Sequence, residues 1–356
     1  LTAQGTIEQS GDGRIEEAAS LTTASIGGQK LLGANTIHSF QGTNVGGGKV
    51  ELNNTASSLE VIQLVQGHGG DIELTNTGEL EISGAVSTTG QVELDATGKI
   101  AQGLAGKVYA ERLVTSSVGG QDLLGDNRIR SFQGSNQGDD IALNNNGYDL
   151  EVISINQADG GDIALINNEG DIAITGLVRT RDGAHLTAQG TIEQSGDGRI
   201  EEAISLTTAS TGGQKLLGAN TIHSFQGTNV GGGKVELNNT ASSLEIGEIV
   251  QAHGGDIELT NTGELEILGA ISTAGQVELD ATGKIAQGLA GKVHAERLVT
   301  SSVGGQDLLG DNRIRSFQAS NQVDDIALNN NGHALEVISI NQADGGDIAL
   351  INNEGD

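Results

Sequence analysis

The chain has 356 residues with no Pro, Cys, Met or Trp, 56 Gly, and aromatics at only 2%. Such a composition excludes a thick core filled by large aromatics, so the interior must be narrow and lined by Ile, Leu, Val and Ala. The formal charge of −29 argues against nucleic acid and anionic membrane surfaces, which need clustered Lys and Arg, and the lack of Cys removes disulfides and thiol chemistry.

Taken in chain order, segments opening with an apolar residue, any residue and then usually Leu begin at Leu31, Val50, Ile72, Val92, Leu123, Ile141 and Ile163. They return at Leu216, Val235, Ile257, Val277, Leu308, Ile326 and Ile348, with looser versions at Leu1 and Leu186. Within a segment the pattern has period two. In GGDIELTNTGELEISG, Ile72 and Leu74 point one way, Glu73 and Thr75 the other, and Leu80 with Ile82 repeats this after a turn. That alternation predicts short strands with one buried face. Strands of three to five residues cannot bury such a face alone, whereas parallel stacking of successive rungs, about 4.8 Å apart, does so.

Self-similarity sets the larger plan. LTAQGTIEQSGDGRIEEA occurs at 1–18 and at 186–203, and aligning 1–171 with 186–356 leaves 15 differences, so about 91% is identical. The most altered block is VIQLVQG (61–67), which becomes IGEIVQA (246–252). Residues 1–185 thus form a first long repeat and 186–356 a second, along one continuous β-helix. Each divides again at a shift of 92, where LTTASIGGQKLLGANTIHSFQGTN (21–44) answers to LVTSSVGGQDLLGDNRIRSFQGSN (113–136). All four phenylalanines, Phe40, Phe132, Phe225 and Phe317, fall on this motif and are expected to stack inside the lumen or to cap one face of it.

The predicted fold is all-β: a right-handed parallel β-helix of about 15–16 coils, roughly 70–80 Å long at the rung spacing. Pro is missing because every interior donor is needed for the ladder between coils. Four residues after most openings stands an asparagine: Asn35, Asn54, Asn76, Asn127, Asn145 and Asn167, then Asn220, Asn239, Asn261, Asn312, Asn330 and Asn352. The exceptions are Gly5, Gly190, Ala96 and Ala281. A structural ladder of amides hydrogen-bonded from coil to coil is expected there. The longer rungs, such as QVELDATGKIAQGLAGKVYAERLVTSSVGG, are expected to carry an extra loop or a wider face.

The alternation GGDIELTNTGELEISGAVSTTGQVELDATGKIAQG resembles the repeats of filamentous-haemagglutinin-type adhesins, exoproteins exported by two-partner secretion. The resemblance covers essentially the whole chain. It implies a β-helical shaft secreted to a Gram-negative cell surface, an outer-membrane transporter as partner, and a role in adhesion, aggregation or biofilm cohesion. Neither the N-terminal secretion domain of such exoproteins nor a C-terminal toxin or receptor-binding domain is visible; the chain opens in mid-pattern and reads as a piece of a longer protein. No run of 18 apolar residues is present, so no transmembrane helix is expected.

Candidate chemistry is sparse. GGD strings place Asp71, Asp162, Asp256 and Asp347 at strand entries. Calcium repeats need such carboxylates in immediate tandem, yet the neighbouring rungs offer Lys49 or Gln91, so these are weak metal candidates. No helical period follows that would make GGD a phosphate cradle. Paired carboxylates stand at Glu16–Glu17, Glu201–Glu202, Asp139–Asp140 and Asp324–Asp325, and Glu79 with Glu81, like Glu264 with Glu266, shares a strand face. A glycosidase or lyase would use such groups in one cleft with aromatic platforms and basic groups, but every carboxylate pair recurs at a shift of 185. They are read as a solvated acidic face, and no catalytic residue and no cofactor is assigned. His38 answers to Arg130 and His294 to Tyr109, a replacement that no metal ligand tolerates. Asn53 and Asn238 sit in NNT sequons expected on turns.

The reading is a non-catalytic stalk segment of a secreted adhesin. Its partners would be a host or neighbouring-cell surface, matrix polysaccharide or protein, or lateral copies of itself. One rival is a carbohydrate- or protein-binding face built from 61–67, 246–252 and the Phe40-type residues. The other is a polysaccharide lyase or hydrolase, which would need a unique cleft.

Overall fold

The computed structural model describes residues 1–355, and among them every regular element is a β-strand. Among the described residues, no helix is long and apolar enough to cross a membrane. Two compact units are formed. The first is Leu1–Ile172 with Arg179–Arg181, and the second Ala173–Val178 with the chain from Asp182 onward. The strand Gly183–Ala188 spans the point where the sequence repeat restarts, because a repeat can be phased anywhere along a coil.

Each unit is a parallel β-solenoid. In the first, Val50 stacks on Ile72 and Ile72 on Val92, while Leu52, Leu74 and Leu94 form the next column in strict register. All six are at most 2% exposed, and the acidic and Thr residues between them face out. In the second, Val235, Ile257 and Val277 repeat the column. Alternate burial along each strand is what period-two patterning requires, and a one-residue slip would invert every face.

Several strands are longer than the three to five residues the pattern predicts: Ser58–Gln66 has 9 and Lys107–Asn145 has 39. A coil lying in register on its neighbour keeps making ladder hydrogen bonds around a corner, so pairing outlasts the straight segment. The long rung does carry an extra turn at 103–106, closed by Gly106 N–H donating to the Gly103 carbonyl at 2.9 Å, with Leu104 fully exposed.

All four phenylalanines are fully buried. Phe40 stacks between Leu21 and Val61, and Phe225 between Leu206 and Ile246. Beside each Phe the register shifts, as between Phe40 and Gln41. The ring needs more width than an aliphatic layer, and the extra residue on the next coil provides it. Burial removes the Phe40-type residues from any docking face.

One glycine marks how closely the coils approach. A Cβ on Gly33 would lie 2.1 Å from the Gly13 carbonyl oxygen, and Gly125, Gly218 and Gly310 meet the equivalent carbonyl at 2.0–2.1 Å.

Candidate functional site

The GGD strings are corners. Gly69 has φ 74, Gly254 φ 75, and the pair Gly160–Gly161 φ 97 and 111, which glycine adopts without steric cost. Asp71 Oδ1 accepts the Gln91 N–H at 2.9 Å, and its Oδ2 lies 3.7 Å from Lys49 Nζ. Asp256 is held in the same way by Gln276 at 3.0 Å and Lys234 at 3.7 Å. Asp162 and Asp347 instead donate their N–H groups to Asp140 and Asp325, both at 2.8 Å. Among the described residues, no three His, Cys, Asp or Glu side chains gather where they could hold a metal ion. Hydrogen bonds to Glu73 and Glu258 hold the Lys49 and Lys234 ammonium groups above their ordinary pKa, with burial opposing and neighbouring carboxylates adding.

The asparagines are buried except Asn352, which is half-buried, but they do not form one continuous ladder. Amide-to-amide bonds join them in pairs: Asn54 to Asn76 at 2.9 Å, Asn145 to Asn167 and Asn239 to Asn261 at 3.0 Å, and Asn330 to Asn352 at 2.9 Å. The run stops where the next coil puts Ala96 or Ala281 in register with the second amide. Asn35, Asn127, Asn220 and Asn312 pair with glutamines the sequence reading had passed over. Gln9, Gln102, Gln194 and Gln287 each donate to an Asn Oδ1 at 2.7 Å. A second buried polar chain was also missed: Thr23 donates to Gln29 at 2.6 Å, Gln29 to Ser25 at 3.2 Å, Ser25 to Asn44 at 2.9 Å, and Asn44 to Gln66 at 2.6 Å. Its signal is the recurring T-x-S-x-G-G-Q, which looks like turn composition until burial is known.

The paired carboxylates are corner residues. Glu17, Glu202, Asp139 and Asp324 have φ of 53, 62, 59 and 62, so the pairing reflects where the chain turns. Glu79 and Glu81 lie on the outer face, Glu81 beside Glu60 of the neighbouring coil. Asn53 and Asn238 lie in the strands Val50–Asn54 and Val235–Asn239, away from the turns expected for them. Burial lowers the pKa of His294, against an opposing hydrogen bond with the Asp311 backbone, and its Nε2 is buried without a partner. A hydrogen bond from Asn331 holds the exposed Asp311 carboxyl below the usual range.

One site has a different character. Both tyrosines of the chain, Tyr109 and Tyr148, border a groove of about 690 Å³ on the first unit, together with Arg128, Arg130, Glu111 and Thr89. Tyr109 stacks on Ser87 and Ser87 on Val65, which brings the altered block 61–67 to the rim through Gln66 and Gly67. The Arg130 guanidinium lies 4.0 Å from the Tyr148 ring centre, while Arg128 and Lys107 lie 5.9 and 5.6 Å from that of Tyr109. Arg130 Nε is 3.3 Å from Glu111, and Arg128 reaches Asp126 at 4.0 Å. Each cation thus lies within cation–π range of a tyrosine ring, Arg130 closest, a contact worth about 0.5–2 kcal/mol. In sequence, Tyr109 stood out only as the counterpart of His294; with two tyrosines 39 positions apart, nothing but the coil repeat could bring them together.

Comparison of the chain with family models, with curated proteins and with solved structures gave no match.

Proposed function

We propose that the chain is a non-catalytic structural segment of a secreted, surface-attached bacterial adhesin. What carries this reading is the parallel coil-on-coil stacking within each unit, in register along its aliphatic columns and interrupted by bulges such as the one beside Phe40, with amide pairs completing the interior. Adding a coil to such a fold adds length and another stacked layer, which is the property a stalk needs. The acidic side chains that could do chemistry are at corners or on outer faces, and they recur in both repeats. The likeness to filamentous-haemagglutinin-type repeats supports the location, with an outer-membrane transporter as export partner and a cell surface or matrix polymer at the far end.

The test is protease shaving of intact cells that carry the parent gene, followed by mass spectrometry. Peptides from residues 1–356 released before lysis would support surface display; peptides released only after lysis would overturn it. The non-catalytic part is tested separately, by incubating the purified chain with acidic and neutral polysaccharides, where newly formed reducing or unsaturated ends would refute it.

A further inference from the structure

We infer that the Tyr109–Tyr148 groove is a binding site for an acidic oligosaccharide, a hexuronate-containing glycan, engaged by the first repeat and not by the second. This inference does not depend on the surface-segment reading.

The first observation is where the two repeats diverge. Of their 15 differences, four fall among the eleven residues lining the groove: Gly67 becomes Ala252, Thr89 becomes Ala274, Tyr109 becomes His294 and Tyr148 becomes His333. An even spread over the aligned positions would put about one there. The charged frame is kept in the second repeat, with Arg315 at 3.1 Å from Glu296 and Arg313 at 3.7 Å from Asp311. What changes is the aromatic and hydroxyl lining, the part that selects a ligand.

The second observation is the chemistry of the lining. The Arg130 guanidinium lies 4.0 Å over the Tyr148 ring, and Glu111 meets it at Nε, 3.3 Å away, with the Arg130 side chain 53% exposed. The fork of terminal N–H groups remains open, and such a fork matches a carboxylate in two parallel hydrogen bonds. Tyrosine rings, Tyr148 being 43% exposed, offer flat apolar surface to the C–H face of a pyranose while their hydroxyls hydrogen-bond. Ser87, Thr89 and Glu111 supply donors and acceptors for ring hydroxyls. A volume of about 690 Å³ exceeds what a free anion fills and lies within the range of small-ligand sites. A long polyanion such as nucleic acid would meet the repulsion of a chain carrying −29, whereas a short oligouronate engages only the local cations Lys107, Arg128 and Arg130.

The test is isothermal titration of the 356-residue chain with tetragalacturonate, neutral galactotetraose and a single-stranded DNA oligomer. The expected result is one tetragalacturonate per chain, at least tenfold tighter than the neutral sugar. The double substitution Tyr109→His and Tyr148→His installs residues the second repeat already accommodates, so it should leave the fold intact by circular dichroism and weaken binding at least tenfold. Arg130→Gln should do the same. Absence of tetragalacturonate binding, two equivalents per chain, equal affinity for the neutral sugar or the DNA, or unchanged affinity in the double variant would each overturn the inference.

Discussion

Single residues set the closest tolerances. Glu17 is held at φ 53, where an L side chain costs about 1–2 kcal/mol that glycine avoids. Part of the gain from glycine is offset by its greater freedom in the unfolded chain. Glu17→Gly should therefore raise stability by about 0.5–1 kcal/mol, seen as a higher urea midpoint with unchanged slope. Gly33→Ala should cost about 1–3 kcal/mol, since its Cβ would sit 2.1 Å from a backbone carbonyl oxygen that the coil stack holds in place. Gly134→Ala is the contrasting case. A Cβ there would first meet side chains and no backbone, the Phe132 ring at 2.9 Å and Gln121 Oε1 at 3.6 Å, and the second repeat already has Ala319 at this position, 2% exposed. It should be near neutral in the same denaturation series. Sequence alone shows all these glycines alike, because close approach is a property of the neighbouring coil.

At the scale of the element, amide pairs hold the ends of the strands that close on asparagine, such as Val50–Asn54. Asn54 Oδ1 accepts the Ile37 N–H at 2.7 Å, and its Nδ2 donates to the Ile37 carbonyl and to Asn76, both at 2.9 Å. Asn54→Ala leaves these buried partners unsatisfied, at about 1–3 kcal/mol each before relaxation. The expected outcome is a loss of about 2–4 kcal/mol with faster amide exchange at Ile37, whereas Asn53→Ala, half-exposed on the same strand, should stay within about 0.5 kcal/mol. The register of the asparagines was legible four residues after most openings. Their partners were not, because Gln9 lies 26 positions before Asn35 and only the coil length brings them side by side.

His294 gives the molecule a pH dependence of known sign. Its pKa is lowered in the fold, chiefly by burial, near Lys292 and Arg313, so the unfolded chain binds the proton more readily. Stability contributed by the neutral ring is then present above the unfolded value of about 6.5 and is lost as pH falls below it. His294→Tyr, the residue found in the first repeat, should flatten the decline of the melting temperature as pH falls below about 6.5. Net charge acts on the whole chain. Glu51, Glu73 and Glu93 stack on successive coils about 4.8 Å apart, and −29 in total outweighs the exposed Lys49 and Lys234 ion pairs. Screening at 1 M salt, with a Debye length of about 3 Å, should raise the melting temperature by several degrees over low salt. A fall would mean that ion pairs dominate.

Period-two alternation, the 185-residue repeat and the missing Pro and Trp were enough to determine the class of fold, because a parallel solenoid writes its one-layer lumen into every rung. They also determined which face of each strand is buried, since a strand has only two. What only the tertiary structure decided is how residues about one coil apart meet. It broke the expected ladder into amide pairs and buried the phenylalanines. It also brought Tyr109, Arg128, Arg130 and Tyr148 to one groove. The reason is geometric: coil length varies from rung to rung, so the residue stacked on a given side chain is set by corners and bulges, which no local pattern specifies.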